Sequence, residues 1–264
     1  MITQSKIGTA VYAEFRRRQY ADSGHKRLGI FHVTDYNNSC RRNAYYKHLA
    51  IPQEQMNTKS MSILFAGEAM HQLLDKQAPQ GGGETRLAYN IVDDCKADIW
   101  NGNASKFTQQ DWLKIVVGEC DALYDVTIEG KPQKIIVDYK TWLSKGYKKR
   151  AVDPDYKEQT NIYKYLLEKD KGIKVDYGAI IYLDFAERGE KPIIFGYKLD
   201  DINQIHARLL ATQVQFAQAA STGILPDRVG EEGRWKCDGY CSFAKRCFNE
   251  SKLSKEENKL VVNV

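Results

Sequence analysis

The first residues able to do chemistry are Asp138-Tyr139-Lys140, which end the run Lys134-Ile135-Ile136-Val137. Side chains two apart on a strand share a face. A carboxylate there can hold a divalent cation. An ammonium beside it can stabilise charge developing on a phosphate, or help position and deprotonate a water. An isolated D-x-K more often marks a solvated strand edge. Here the apolar run before it reads as a buried strand. Asp138 then lies near a core, where charges are paired or bind metal. Asp121 lies 17 residues earlier. Between them, Tyr124, Val126 and Ile128 alternate with Asp125 and Thr127, a strand pattern, and Glu129-Gly130-Lys131-Pro132 is a turn. A hairpin turning there returns Asp121 to Asp138, giving an oxygen-rich site suited to Mg²⁺ or Mn²⁺.

Other side chains carry chemistry only in company. His71 follows Glu68 by one helical turn, beside an apolar stripe, and reads as a packed histidine or as a ligand. Gln159 and Tyr163 are four apart on a helix and share a face. Cys237, Cys241 and Cys247 form C-x3-C-x5-C, and Cys40 stands far upstream in Cys40-Arg41-Arg42-Asn43-Ala44-Tyr45-Tyr46. Four thiolates can hold a [4Fe–4S] cluster or a tetrahedral zinc. A local zinc site on the three late cysteines, or free thiols, are the alternatives. Cys95 and Cys120 fit neither motif and read as buried small residues. Lys145, Lys148, Lys149 and Arg150, with Trp142 and Tyr147 interleaved, could meet phosphates and unpaired bases. Arg41 and Arg42 are a second candidate DNA contact.

The elements that must position these residues follow from pattern. At 264 residues, with 42 % hydrophobic and 28 % charged residues, the chain can build its own core and is neither fibrous nor wholly disordered. The net charge, 39 − 34 = +5, is too small to identify a partner by itself. No apolar run of about 18 residues is present, so no membrane span is expected. The opening Met1-Ile2-Thr3-Gln4-Ser5-Lys6 lacks an apolar h-region, so the expected setting is the reducing cytoplasm, with cysteines as thiols or ligands. One domain is expected over 1–264. Its helical part, 1–80, has a helix at 8–20 bearing Arg16, Arg17 and Arg18. A second helix, capped by Thr34, carries Cys40 to Tyr46, and a third runs from about Thr58 to Gln77. Gly81-Gly82-Gly83 breaks the chain. An α/β core then spans 84–222, with a helix from Pro154 to about Lys169. Strands follow at Val175–Asp184 and Pro192–Leu199, and a helix at Asp200–Ser221. Residues 230–248 close onto Cys40.

Four motifs occur in order: G-x3-H (Gly67 to His71), G-x2-D (Gly118 to Asp121), D-x-K (Asp138 to Lys140) and Q-x3-Y (Gln159 to Tyr163). The set resembles the RecB-type branch of the PD-(D/E)XK nuclease superfamily, over residues 34–248. The resemblance implies a restriction-endonuclease-like core, a central mixed β-sheet flanked by helices. It implies a metal held by His71, Asp121 and Asp138, catalysis by Lys140, and support of site and substrate by Gln159 and Tyr163. Asp138 stands where the family more often has Glu. The cysteines, with the early C-R-R-x2-Y-Y segment, are similar to the iron–sulfur subgroup. That subgroup includes CRISPR-associated RecB-like exonucleases and AddB-type helicase–nuclease subunits. It implies a [4Fe–4S] cluster on Cys40, Cys237, Cys241 and Cys247 that ties the chain ends together. The first cysteine gap has three residues where the subgroup commonly has two, and zinc is the alternative metal. The expected function is an Mg²⁺- or Mn²⁺-dependent DNA nuclease of bacterial, archaeal or phage origin. Its leading form is a single-stranded DNA exonuclease in repair, recombination, phage replication or CRISPR-related processing. The alternatives are a structure-specific or flap endonuclease, and a non-catalytic DNA-binding protein with structural zinc.

Overall fold

The hairpin expected around Glu129 organises one of two sheets. Strand β5 (Ala122–Ile128) turns into β6 (Lys131–Trp142) through Glu129 and Gly130 alone, with φ of 50° and 76°. Both values are positive, as a two-residue hairpin loop needs, and Gly130 takes its value without strain. The turn is therefore tighter than the four residues expected, and Lys131 and Pro132 already belong to the strand. The structure, a computed structural model, describes residues 31–37, 40–49, 51, 53, 66–74, 84–100, 106–142, 152–184, 192–229, 236–237 and 241–249. The expected helix at 8–20, the ends of the third helix, the glycine break and the basic loop with Lys145, Tyr147, Lys148, Lys149 and Arg150 lie outside these residues.

The remaining strands are β1 (Phe31–His32), β2 (Thr85–Asn90), β3 (Cys95–Lys96), β4 (Ile115–Cys120), β7 (Tyr177–Asp184) and β8 (Ile193–Lys198). They form two four-stranded sheets, ordered β1-β4-β2-β3 and β5-β6-β7-β8, rather than the one central sheet expected. Both are mixed: β1–β4 and β6–β7 are parallel, and the other pairs antiparallel. The cause lies at Asp121. Strand β4 is buried along almost its whole length, whereas β5 alternates and exposes one face. The chain leaves one sheet and enters the other at the single residue between them. Strand β1 was not legible in advance, since two residues carry no period. Its Phe31 pairs with Val116.

Helices cover the sheets. The single helix expected from Thr34 is two, α1 (Val33–Tyr36) and α2 (Arg41–His48), so Cys40 caps the second rather than lying inside it. The sequence between them, Asn37-Asn38-Ser39, is of types that bond their own backbone and favour helix ends over interiors. The Asp35 carboxylate accepts from the His32 backbone N–H at 3.0 Å, which fixes the start of α1. Helix α3 covers 66–74 and α4 is Gln109–Trp112. Helix α5 (Pro154–Leu166) starts as the sequence predicts: Asp153 caps it and Pro154 opens its first turn. A π-helical turn, Leu167–Lys171, extends it, and Gly172 at φ 71° ends it. Helix α6 (Ile202–Thr222) is tied to α5 by Arg208, which donates to both Glu158 oxygens at 2.9 Å. The main core, with Phe31, Tyr36, Ile136, Ile162, Leu166 and Phe216, fills the space between these helices and the sheets. No described helix is long and apolar enough to cross a membrane.

Gly118 of β4 shows how closely these layers meet. A Cβ added there would lie 2.6 Å from Val33 Cγ2 and 2.9 Å from Tyr163 Cε1, inside contact distance of two buried side chains. Gly118→Ala is therefore expected to destabilise the fold by about 1–3 kcal/mol, as overpacking does. Urea denaturation should show a lower midpoint with an unchanged slope. An unchanged midpoint would mean that α1 and α5 give way freely.

Candidate active site and metal centre

Strand β6 is exposed at its hairpin end and buried from Ile136 to Tyr139, so it carries Asp138 from solvent into the core. The Asp138 side chain is 1 % exposed. Lys140, on the same face, places Nζ 2.7 Å from Asp138 Oδ2 and 2.9 Å from Oδ1. Burial pushes the Asp138 carboxyl up to about 6 and Asp121 adds to this, while Lys140 pulls it down. Although close to the ammonium, Oδ2 accepts no well-aligned hydrogen bond and is buried. The ammonium therefore compensates the buried charge by proximity, while Oδ2 keeps room for a further partner.

Asp121 arrives by the hairpin as expected. Ala122 pairs with Val137, and one step further Asp121 Oδ2 accepts from the Tyr139 backbone N–H at 2.9 Å. His71 on α3 meets the same place from outside. Its Nε2 lies 3.1 Å from the Tyr139 carbonyl, to which it can donate, and its Nδ1 lies 3.4 Å from Asp121 Oδ1. In the neutral ring that tautomer leaves the Nδ1 lone pair beside the carboxylate. Hydrogen bonding to Asp121 pushes the His71 pKa up, against burial. Gly67 stands in the same motif. A Cβ there would stand 3.4 Å from Thr141 Oγ1, an ordinary contact, so α3 lies against β6 at this point.

Helix α5 supplies the far wall. Gln159 Oε1 accepts from Lys140 Nζ at 3.3 Å, and Gln159 Nε2 donates to the Tyr163 hydroxyl at 3.2 Å. Burial raises Tyr163 far above the ordinary phenol range, so it stays protonated. Asn37 adds a bond to the Asp155 carbonyl at 3.1 Å and a longer one to Gln159 Oε1 at 3.5 Å. The structure thus brings together Lys140, Asp138, Gln159 and Tyr163, and sets His71 against Asp121. Sequence reasoning missed Tyr139, whose backbone serves both Asp121 and His71, and Asn37. It also missed Tyr156, whose ring centroid lies 4.7 Å from Lys140 Nζ. Its signal was its place three residues before Gln159.

The donor set fits a hard divalent cation: two carboxylates, one of them buried, and an imidazole. Among the described residues, no three His, Cys, Asp or Glu side chains are already drawn into a metal-holding group. The cysteines are likewise gathered but not closed. Cys40, Cys237, Cys241 and Cys247 all line one cavity of about 370 Å³, walled by Tyr46 and Phe243. Asn43 Nδ2 donates to Cys241 Sγ at 3.3 Å, and Arg42 Nη1 lies 3.9 Å from Cys247 Sγ. Four thiols around one space is the donor chemistry of a cluster or a zinc.

One expectation is corrected, that Cys95 is buried. Arg41 and Arg42, a second candidate DNA contact, are half-buried and spend donors inside the fold: Arg41 donates to the Asp35 and Tyr36 carbonyls, and Arg42 Nε to the Pro226 carbonyl at 2.9 Å. Those carbonyls end α1 and follow α6, and need donors. Cys95 is exposed, because β3 is a two-residue edge strand; Cys120 is buried as expected. The Trp142 backbone belongs to β6, and the other residues of the basic loop are outside the described ones.

No curated protein matches the chain. Among solved structures, the crystal structure of SSO0001 is similar at 18 % identity and a TM-score of 0.47, over 89 % of this chain and 94 % of that one. A model of the PD-(D/E)XK nuclease superfamily matches residues 106–248, which is 143 of the 264 residues. That stretch holds Asp121, Asp138, Lys140, Gln159 and Tyr163, together with the three late cysteines. More than half of its length matched, the chain belongs to the PD-(D/E)XK nuclease superfamily.

Proposed function

We propose that this protein is a metal-dependent DNA nuclease whose leading activity is exonucleolytic hydrolysis of single-stranded DNA, in repair, recombination, phage replication or CRISPR-related processing. The observation that carries the reading is the buried Asp138 carboxylate paired with Lys140, set beside Asp121 and walled by Gln159. Asp138, Asp121 and His71 would hold Mg²⁺ or Mn²⁺. A cation bound there would neutralise phosphate charge and lower the pKa of an attacking water. Lys140 offers its remaining N–H bonds to the charge that grows on the scissile phosphate. Gln159 fixes the ammonium from the helix side, and Tyr163 fixes Gln159. His71 and the Tyr139 N–H orient the Asp121 carboxylate.

Single-strand preference rests on Lys145, Lys148, Lys149 and Arg150, interleaved with Trp142 and Tyr147 between the D-x-K strand and α5. Flexible strands can thread such a loop and stack bases on its rings at roughly 1–3 kcal/mol each. Cys40, Cys237, Cys241 and Cys247 would hold a [4Fe–4S] cluster in the cavity that they line, with zinc as the other metal of matching ligands.

Asp138→Ala and Lys140→Ala should each abolish cleavage of end-labelled strands while leaving DNA affinity nearly unchanged, since affinity comes from many phosphate contacts. Cleavage at the parental rate by both variants would remove the site from this strand. Linear single strands should be degraded and circular ones spared; equal digestion would make the enzyme an endonuclease.

The charges predict a pH dependence for the protein in EDTA. Asp138 and His71 both titrate above their ordinary values in the fold. Each therefore binds its proton more tightly folded than unfolded and adds stability at low pH. That stability is lost as pH rises from the ordinary values through the folded ones, so thermal stability should fall from about pH 4 to 6 through Asp138 and further above about pH 6.5 through His71. Mg²⁺ should oppose the fall more at pH 8 than at pH 5, because it binds the ionised form. Asp138→Asn should flatten the acid part of the curve. A flat parental curve in EDTA would contradict the assignment.

Protein purified without oxygen should be brown and carry about four irons per chain, and Cys40→Ala should lose both. A colourless protein with one zinc would replace iron by zinc. A stable protein with no metal would leave the cavity without a metal role.

A further inference from the structure

Lys140 is held from three sides, and only two of them belong to the recognised motifs. Asp138 draws the ammonium along the strand and Gln159 accepts from it at 3.3 Å. The third side is the ring of Tyr156, 4.7 Å from Nζ to centroid. An ammonium over an aromatic face is attracted by the negative potential of the ring, more strongly where water is partly excluded. Lys140 is in that setting, with its side chain 19 % exposed.

The ring is not there by accident of a flexible surface. Tyr156 lies in the first turn of α5, three residues before Gln159 and on the same face. That turn is fixed by the Asp153 cap, by Asn37 on the Asp155 carbonyl, and by Lys236, whose Nζ lies 2.6 Å from Asp155 Oδ2. Behind the ring stands Tyr182, at 6.4 Å between centroids, and behind that Phe195 at 6.0 Å. Tyr182 is the β7 residue in register with Lys140 across the parallel pair, so strand and helix present lysine and ring to each other.

We propose that Tyr156 is a positioning residue for the reaction: its ring face fixes the Lys140 ammonium on the helix side of the site while it stays paired with Asp138, so that its free N–H can reach the phosphodiester. This rests on the reading that Lys140 acts in the chemistry. Tyr156 itself need not touch DNA.

The test uses the full-length protein and single-stranded DNA. Tyr156→Leu should lower kcat about tenfold at saturating DNA with KM within about twofold, in line with the strength of a partly desolvated contact of this kind. Tyr156→Phe, which keeps the face and loses the hydroxyl, should restore kcat. Progressively fluorinated phenylalanines at position 156 keep the shape but drain the face, and kcat should fall with each fluorine; this series stands even if the leucine variant does not fold. A readout free of activity comes from urea midpoints in EDTA. Tyr156→Leu should lower the midpoint less in a Lys140→Met background than in the parent. A rise in KM alone would make the ring a base platform and overturn the proposal. So would a phenylalanine variant as slow as leucine, a flat fluorine series, or equal midpoint shifts in both backgrounds. If Lys140→Ala cleaves at the parental rate, the reading of the site has failed; if it is inactive while Tyr156→Leu cleaves normally, only the positioning role has.

Discussion

A carboxylate with almost no exposure, Asp138, faces a lysine that is itself mostly covered, and the surroundings of both are explained by that pair. Burying two charges costs several kcal/mol per ion before their attraction repays it, and repayment needs further bonds. Lys140 finds them in Gln159 and the Tyr156 ring; Asp138 does not, and keeps one oxygen without an aligned donor. A fold selected for stability alone would gain by replacing the pair with apolar residues. Its presence at the end of an apolar strand is the signature of a site built to receive something charged. The supports follow from it. Gly118, where a Cβ would strike Val33 and Tyr163, lets α1 and α5 lie close on β4.

The site was largely legible from residue types and spacing because its parts are local. D-x-K shares a face by the strand period, Q-x3-Y by the helix period, and the hairpin turn carries Asp121 back to Asp138 with the register Ala122–Val137. The illegible parts are those set by tertiary contact. Two sheets instead of one depend on a change of burial at Asp121 that no periodicity announces. Tyr156 and Asn37 matter only because α5 lies against β6, and Tyr139 acts through its backbone, which sequence does not display. That Arg41 and Arg42 also donate to the carbonyls of Tyr36 and Pro226 is equally invisible to residue spacing. The motif glycines were read as spelling rather than as the absence of a Cβ.

Cys40 and the late cysteines line one cavity across nearly the whole chain, and ordinary bonds support the meeting. Arg42 holds Pro226 through its side chain and Asp227 through its backbone N–H, and Asn43 holds Cys241. Tyr46 and Phe243, 5.4 Å between centroids, pack the same seam. From there the Lys236–Asp155 pair reaches the first turn of α5. The cysteine cavity and the lysine site are therefore connected by a short run of contacts through one helix start.

The β5–β6 hairpin carries a consequence for rebuilding this molecule. From the pair Ala122–Val137 to the pair Ile128–Lys131 the ribbon runs six residues, about 20 Å at the usual strand rise. Burial fades along it, from Ile136 to Tyr139 inside to Glu129, Gly130, Lys131 and Pro132 outside. Ladder bonds hold the two arms together without help from the tip. An exposed two-residue tip on a self-supporting ribbon is where a chain accepts new termini or an inserted domain. A domain inserted between Glu129 and Gly130 would leave the charged strand and its helix wall intact, and would present a handle far from Asp138 and Lys140.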